Sequence, residues 1–264
     1  MPVPVAELSK VTYHYPDRGG EAVLEDVDLT IHRDDFLGMI GPNGSGKTTL
    51  LRILMGVLKP TSGTVRVFGK RPREVSRRIG YVPQRAEIDA GVPVSVLEVV
   101  LTGRLGHSSW GMSYGKSHVA AARDAMAQVG VEEFERRQIG ELSGGQRQRV
   151  LIARAIAADV EMLLLDEPMA GVDVHMERGI LKTLRALKSR MPIVLVSHDI
   201  GSVSHEVNRV ACVNRRLAVH RPDEVNDDVI AEMYHTHGVV RPVHHHDHCP
   251  ITGQPPGTGA EEEE

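Results

Sequence analysis

The chain has 264 residues, of which 41% are hydrophobic and 25% charged, and its formal net charge is −4. This composition is ordinary for a globular protein, and the negative balance argues against nucleic acid as a partner, because phosphate backbones are met by clustered lysine and arginine. The sequence has no apolar run near the roughly 20 residues that span a bilayer, and its two cysteines exclude a disulfide framework and favour a reducing compartment.

Apolar runs along the chain predict an α/β fold with a mainly parallel sheet. The first thirty residues alternate between polar and apolar side chains, which predicts a small antiparallel subsheet. Short apolar runs typical of buried strands follow at Phe36–Ile40, Arg78–Val82, Glu161–Asp166 and Pro192–Ser197, and the last two are continuous. Helical periodicity covers Lys47–Leu58, Gly145–Ala158 and His175–Arg190. Strands that alternate with helices indicate a parallel sheet covered by helices.

Changes in composition along the chain predict three regions. Residues 1–86 and 141–238 form the α/β core with its subsheet, and residues 87–140, which carry few strand signals, form a helical subdomain. Residues 239–264 are rich in histidine, proline and glycine and close with four glutamates. Such a composition cannot bury a core, so we expect a flexible tail.

The segment GPNGSGKT follows one predicted strand and opens one predicted helix, which is the context of a phosphate-binding loop. Its glycines let successive backbone N–H groups point at a polyphosphate, and the helix adds its positive N-terminal end. Lys47 is expected to contact the β- and γ-phosphates of ATP, and Thr48 to ligate Mg²⁺. The alternative is an ordinary glycine-rich turn. The predicted nucleotide contacts are Gly41, Pro42, Asn43, Gly44, Ser45, Gly46, Lys47, Thr48 and Thr49.

Two carboxylates end the predicted strand Glu161–Asp166. Ligands of open α/β sheets bind at the carboxyl ends of the strands. Asp166 is therefore a candidate Mg²⁺ ligand, directly or through water, and Glu167 is a candidate general base for the water that attacks the γ-phosphate. The alternative is an acidic turn with no catalytic role.

The segment LSGGQRQRV opens a second helix with features of an anion site. Ser143 is a candidate helix cap, and Gly144 and Gly145 are expected to leave backbone N–H groups exposed at the helix start. One ATP needs only one phosphate loop, so this second site is expected to face the nucleotide of another subunit. The alternative is a plain capped helix.

These motifs, in this order, resemble the nucleotide-binding subunits of ATP-binding cassette (ABC) transporters over about residues 5–220. The resemblance implies a P-loop NTPase core and an ATPase that works as a head-to-tail dimer of two copies. Each ATP would lie between the phosphate loop of one chain and the signature segment, Leu142–Gln146, of the other. It further implies that Tyr15 stacks on adenine, although Tyr13 on the same strand is a competitor. Gln84 would sense Mg²⁺ and the γ-phosphate, Asp173 would cross the dimer interface, and His198 would hold the γ-phosphate.

The predicted helical subdomain bears on cargo. Its stretch EVVLTGRLGH resembles the insert of importer ATPases for zinc and manganese, as does DEPMAGVD, although Met169 stands where threonine is more usual. The resemblance implies a metal importer with transmembrane permease subunits, an extracytoplasmic metal-binding protein and a position at the cytoplasmic face of the membrane. Zinc is the first expectation. Manganese, another metal or siderophore, and a soluble non-transport ATPase stay open as alternatives.

Six of the 14 histidines lie between His235 and Cys249. Imidazole and thiolate suit zinc, nickel or copper better than manganese, so the segment is a candidate regulatory Zn²⁺ site. A solvated tail with adventitious metal affinity is the alternative, as is a metal-binding protein whose role is this segment, although that hypothesis leaves the nucleotide motifs unexplained. The candidate zinc ligands are His235, His237, His244, His245, His246, His248 and Cys249.

Overall fold

The structure is a computed structural model that describes residues 4–16, 20–84, 92–107, 114–171, 174–197, 205–226 and 228–231. Asp173, His198 and the histidine-rich segment from His235 to Cys249 lie outside these residues. Nine strands are present in this part of the chain: β1 (Pro4–His14), β2 (Ala22–His32), β3 (Phe36–Ile40), β4 (Ser62–Val67), β5 (Ile79–Val82), β6 (Met162–Asp166), β7 (Ile193–Val196), β8 (Arg209–Asn214) and β9 (Arg216–His220). Its helices are α1 (Lys47–Leu54), α2 (Pro72–Val75), α3 (Val96–Leu101), α4 (Lys116–Val129), α5 (Gly144–Ile156) and α6 (Val174–Lys188).

The main sheet has the strand order β5-β6-β7-β3-β8-β9, and all of its pairings are parallel except that of β8 with β9. The strands β3, β6 and β7 are buried at every residue. Burial on both faces explains why these strands have continuous apolar sequences. The mainly parallel α/β fold is confirmed, and the carboxyl ends of β3, β5, β6 and β7 meet at one edge of the sheet.

A separate antiparallel sheet of order β2-β1-β4 confirms the predicted N-terminal subsheet. One face of this sheet packs with α1 and the main sheet in one apolar cluster, which includes Val11, Leu24, Leu50 and Met162. This packing fixes α1, and with it the loop that precedes α1, between the two sheets.

Helices follow one another between residues 92 and 143 in the part that the structure describes. Helix α3 begins at a capping box, in which the Ser95 hydroxyl accepts from the Glu98 backbone N–H and the Glu98 carboxylate accepts from that of Ser95. Helix α4 ends at Gly130, whose φ of 65° is the left-handed conformation that terminates helices. The two helices share an apolar cluster with α5. The domain limits themselves stay a prediction.

Local patterns miss part of this fold. The periodicity that predicts a helix to Leu58 is wrong beyond Leu54, because Gly56 adopts a φ of 74° and ends the helix. Strands β4, β8 and β9 are absent from the predictions. Of these, β4 is mostly exposed and β9 is an edge strand, so neither carries a buried apolar run.

Candidate functional site

The loop between β3 and α1 has backbone geometry that only glycine permits at two positions. At Gly46, φ is 106° and an added Cβ would lie 2.6 Å from Leu24 Cδ2. At Gly41, an added Cβ would lie 2.1 Å from the carbonyl oxygen of Val213. The subsheet and β8 thus contact the loop closely from two sides. This close approach accounts for the glycine spacing of the motif and gives the loop a fixed shape.

Lys47 is buried at the start of α1 and reaches back into this loop. Its Nζ donates to the carbonyl oxygens of Gly41 at 2.7 Å and Pro42 at 2.9 Å. Burial lowers the pKa of Lys47, whereas the negative charges of Glu167 and Asp166 raise it. The ammonium is therefore held at the mouth of the loop by neutral carbonyl oxygens, which anionic phosphate oxygens can replace as stronger acceptors.

Asp166 lies at the C-terminal end of β6 and is 2% exposed. Its Oδ2 accepts a hydrogen bond from the Tyr81 hydroxyl at 3.3 Å. Burial raises the pKa of Asp166, Glu167 raises it further, and the hydroxyls of Thr48 and Tyr81 together with Lys47 lower it. The other oxygen, Oδ1, is buried without a hydrogen-bond donor among the described residues.

This arrangement fits Mg²⁺. A buried carboxylate oxygen without a donor is costly in the free protein, and the hard oxygens of Asp166 and Thr48 are the ligand type that Mg²⁺ prefers. Gln84, the third predicted ligand, has a different partner in this structure: its Nε2 donates to the carboxylate of Glu167.

Tyr81 is absent from the sequence-based predictions. It precedes Gln84 by three residues at the end of β5, which pairs with β6, so its position at the same sheet edge as Asp166 was the available signal. Burial and the adjacent Asp166 charge raise the pKa of Tyr81 to about 12. The hydroxyl therefore stays protonated at neutral pH and serves as a donor.

Glu167 is 9% exposed and has a φ of 49°, in the left-handed region. Its backbone N–H donates to the carbonyl of Val196 on β7 at 3.1 Å. A left-handed conformation at a non-glycine residue costs about 1–3 kcal/mol and is concentrated at functional sites. Here the turn brings the carboxylate into the same cavity as Lys47 and Gln84.

Lys47, Gln84 and Glu167 line one cavity of about 580 Å³, whereas Asp166 and Tyr81 are not among its lining residues. That volume lies within the range of small-molecule sites. The cavity brings together most of the predicted nucleotide residues and adds Val23 and Arg52, of which Arg52 lies one helical turn after Thr48 on α1. Its lining residues are Tyr15, Val23, Asn43, Gly44, Ser45, Gly46, Lys47, Thr48, Thr49, Arg52, Gln84 and Glu167.

Tyr15 lies just beyond β1, at the rim of this cavity. Its hydroxyl is 3.2 Å from Thr49 Oγ1, and its ring meets the ring of Tyr13 edge-on at 4.9 Å. Tyr13 is only 8% exposed and packs in the apolar cluster of the subsheet. Of the two tyrosines, Tyr15 is therefore the one placed for contact with a base. Stacking on adenine stays a prediction.

Ser143 caps α5 in a reciprocal capping box. Its hydroxyl accepts from the backbone N–H of Gln146 at 3.4 Å, and the Gln146 side-chain oxygen accepts from the backbone N–H of Ser143 at 2.9 Å. The expectation that both glycine N–H groups are exposed is wrong for Gly145, which is buried and donates to Met176 Sδ at 3.3 Å. None of the four residues Ser143 to Gln146 lines the cavity around Lys47.

Two predicted nucleotide residues, Asp173 and His198, lie outside the described residues, as do the candidate zinc ligands from His235 to Cys249. Within the described ranges, no three histidine, cysteine, aspartate or glutamate side chains form a metal-binding group. Among the same residues, no helix is both long enough and apolar enough to cross a bilayer.

A protein-family model described as ABC transporter matches residues 24–170. The zinc transport system ATP-binding protein TroB of Treponema pallidum is 44% identical over 196 residues, which cover 74% of each chain. The manganese transport system ATP-binding protein MntB of Halalkalibacterium halodurans is 38% identical over 88% of this chain and 92% of the relative.

Solved structures with the same fold include an inward-facing metal-chelate type ABC transporter described as putative, with a TM-score of 0.78, 26% identity and coverage of 88% of this chain and 89% of that chain. The dimeric structure of the bacterial ABC transporter cassette MJ0796 has a TM-score of 0.68 and 28% identity, and covers 82% of this chain and 98% of that chain.

Proposed function

This chain belongs to the ABC transporter family as an ATP-hydrolysing subunit, and we propose that it energises the import of a divalent transition metal. Zinc is the proposed cargo and manganese the second candidate, because similar relatives carry one name or the other. The stretch EVVLTGRLGH, at the end of α3 and in the turn after it, supports the same subfamily. Metal does not need to contact this chain during transport, since the membrane subunits carry it.

The observation that carries the proposal is the convergence of Lys47, Thr48, Gln84 and Glu167 on one cavity at the carboxyl edge of the sheet. They come from three distant segments of the sequence and supply a cation, a hydroxyl, an amide and a carboxylate. Phosphoryl transfer needs this set: a positive charge for the phosphates, a ligand for the metal, and a base for the attacking water. We assign ATP to this cavity, with Tyr15 beside the base.

Hydrolysis then uses the chain's own groups as follows. Glu167 accepts a proton from water while the water oxygen bonds to the γ-phosphorus and the bond to the β,γ-bridging oxygen breaks. Gln84, already bonded to Glu167, orients that carboxylate. Lys47 stabilises the charge on the leaving phosphate. Mg²⁺, held by Thr48 and Asp166 with Gln84 nearby, would neutralise phosphate charge when bound.

We further propose that the working unit is a head-to-tail dimer. The signature segment at the start of α5 does not line its own chain's cavity, so it is available to a second chain. The dimeric state of the MJ0796 cassette supports this arrangement. Asp173 is proposed to cross the interface and His198 to hold the γ-phosphate. Transmembrane permease subunits would anchor the dimer at the cytoplasmic face, and an extracytoplasmic metal-binding protein would supply the cargo.

The histidine-rich segment is proposed to sense zinc. Its six imidazoles and Cys249 exceed the four ligands that a tetrahedral zinc site takes. Cytoplasmic zinc would bind there and slow the ATPase as feedback. The simpler alternative is a segment with adventitious metal affinity and no effect on turnover.

The cargo proposal is tested by disrupting the gene in its host and measuring cellular zinc and manganese under limitation of each metal. The native chain should restore zinc content and the Glu167→Gln chain should not, because uptake needs hydrolysis. If the native chain restores only manganese content, manganese takes the place of zinc as the proposed cargo. No change in either metal, together with recovery of the tagged chain apart from membranes, would favour a soluble non-transport ATPase.

A further inference from the structure

The second glycine of the signature segment is in direct contact with a methionine of α6. The backbone N–H of Gly145 donates to Met176 Sδ at 3.3 Å. An added Cβ at Gly145 would lie 2.7 Å from Met176 Cβ and 2.8 Å from its Sδ, whereas nothing lies within 4 Å of an added Cβ at Gly144. Gly145 therefore has to be glycine for α6 to approach, and Gly144 faces open space.

The N–H groups at this helix start are occupied within the chain from Gly145 onward. Gln146 N–H donates to the Ser143 hydroxyl at 3.4 Å, and Arg147 N–H donates to the Ser143 carbonyl at 2.9 Å. The hydrogen bonds donated by Gly145 and Gln146 are weak. A thioether sulfur is a poor acceptor, and 3.4 Å is near the limit for a hydrogen bond. An anion at this helix end has to compete with them.

We propose that Met176 is a positioning residue that acts as a displaceable cap on the Gly145 N–H. In this structure the sulfur satisfies this buried donor, which would otherwise carry a desolvation cost. A phosphate oxygen presented by the second copy takes the N–H when the dimer closes. This inference rests on the proposed composite site, in which the start of α5 faces the partner's nucleotide.

The chemistry of methionine suits this role. Its side chain has three rotatable bonds and can repack when its sulfur is displaced. The hydrogen bond that is lost is weak, whereas a bond from an N–H group to a phosphate oxygen is charge-assisted and stronger. A side chain with a strong acceptor at the same reach would hold the N–H and oppose closure. A side chain of similar size without an acceptor would leave the N–H free to bind phosphate.

The test compares Met176→Leu and Met176→Gln in a Glu167→Gln chain, which should accumulate the closed dimer. The measurement is the dissociation constant of the ATP-dependent dimer by analytical ultracentrifugation. Met176→Leu should bind as tightly as Met176 or more tightly, and Met176→Gln should bind about 3- to 10-fold more weakly per site, as expected for one retained hydrogen bond. With Glu167 intact, Met176→Gln should raise the KM for ATP with kcat changed less than twofold.

ATP binding by the single chain and the unfolding temperature show that each variant is folded, and Met55→Gln, at a half-buried methionine after α1, controls for the substitution itself. Equal weakening by leucine and glutamine would assign Met176 a packing role and overturn the cap. Equal, native-like dimers would also overturn it while leaving the composite site intact. If ATP produces no dimer even with Met176 present, the composite site fails and the cap fails with it.

Discussion

The side-chain amide of Gln84 donates a hydrogen bond to the carboxylate of Glu167, a residue 83 positions later in the chain. The residue proposed to sense the nucleotide and the proposed general base are thus paired in this structure. The pairing orients Glu167 and couples it to the segment after β5. A change in the position of Gln84 would therefore directly affect the orientation of the Glu167 carboxylate.

Replacing Glu167 by glutamine should therefore spare ATP binding and slow hydrolysis by about 100-fold or more, the usual contribution of a general base. The ATPase rate of the assembled transporter and the accumulation of a nucleotide-bound dimer measure the effect. Glu161→Gln, just before the opposite end of β6, is the matched control, because Glu161 pairs with Arg78 on the surface. It should keep turnover within twofold. Near-normal turnover of the Glu167→Gln chain would remove Glu167 from the catalytic role.

Replacing Ser143 by arginine should spare ATP binding and block ATP-dependent dimerisation and hydrolysis, since a bulky cation at the start of α5 obstructs the partner's γ-phosphate. Ser95 offers a matched control, because it caps α3 with the same reciprocal capping box and is also half-buried. Both substitutions should cost about 1 kcal/mol of stability through the lost cap. Only the change at Ser143 should abolish dimerisation in the isolated chain. Normal dimerisation of that variant would refute the composite site.

Local sequence was enough to predict where the phosphate loop and the acidic strand end lie in the fold, and the roles of their residues stay predictions. The phosphate loop needs a glycine spacing that a short segment displays, and Asp166 and Glu167 end a strand whose burial is evident from its apolar run. A capped helix at Ser143 follows from the same kind of local signal.

Contacts between distant segments could not be predicted from such patterns. The bond from Tyr81 to Asp166 depends on β5 and β6 being neighbours, and the contact of Gly145 with Met176 depends on how α5 and α6 pack. Strand order is set by the packing of whole elements, and no single segment encodes it. The correction at Gly145 therefore came from the tertiary structure alone.

Replacing Asp166 by asparagine should raise the unfolding temperature of the nucleotide-free chain at neutral pH. Burial raises the pKa of Asp166 in the folded protein, so the folded state holds this proton more tightly than the unfolded state. The associated stabilisation is complete below the unfolded pKa of about 4 and is lost as the pH rises through the raised folded pKa. Above that range the ionised, partly unpaired carboxylate opposes folding.

The difference in unfolding temperature between the asparagine variant and the native chain should narrow as the pH falls toward 4. Stabilisation by Mg²⁺ and ATP should shrink in the variant, because it loses the proposed anionic ligand. Asp124→Asn, on the exposed face of α4, is the surface control and should change the unfolding temperature far less. If the difference in unfolding temperature between the Asp166→Asn variant and the native chain is constant with pH, or of opposite sign, burial of the charge does not govern the stability of this site.

Removal of the segment after Gly238 should abolish inhibition of the assembled transporter by zinc. Imidazole binds zinc only when it is neutral, so inhibition of the full chain should strengthen as the pH rises through about 6.5. Manganese should inhibit far less, because it prefers oxygen ligands. A full-length chain with asparagine at His244, His245, His246 and His248 keeps the length and removes most ligands, and it should behave like the truncated chain. ATPase rates across a zinc titration measure all three proteins. If they respond identically, the segment is not a sensor, and its histidines carry no information about the cargo.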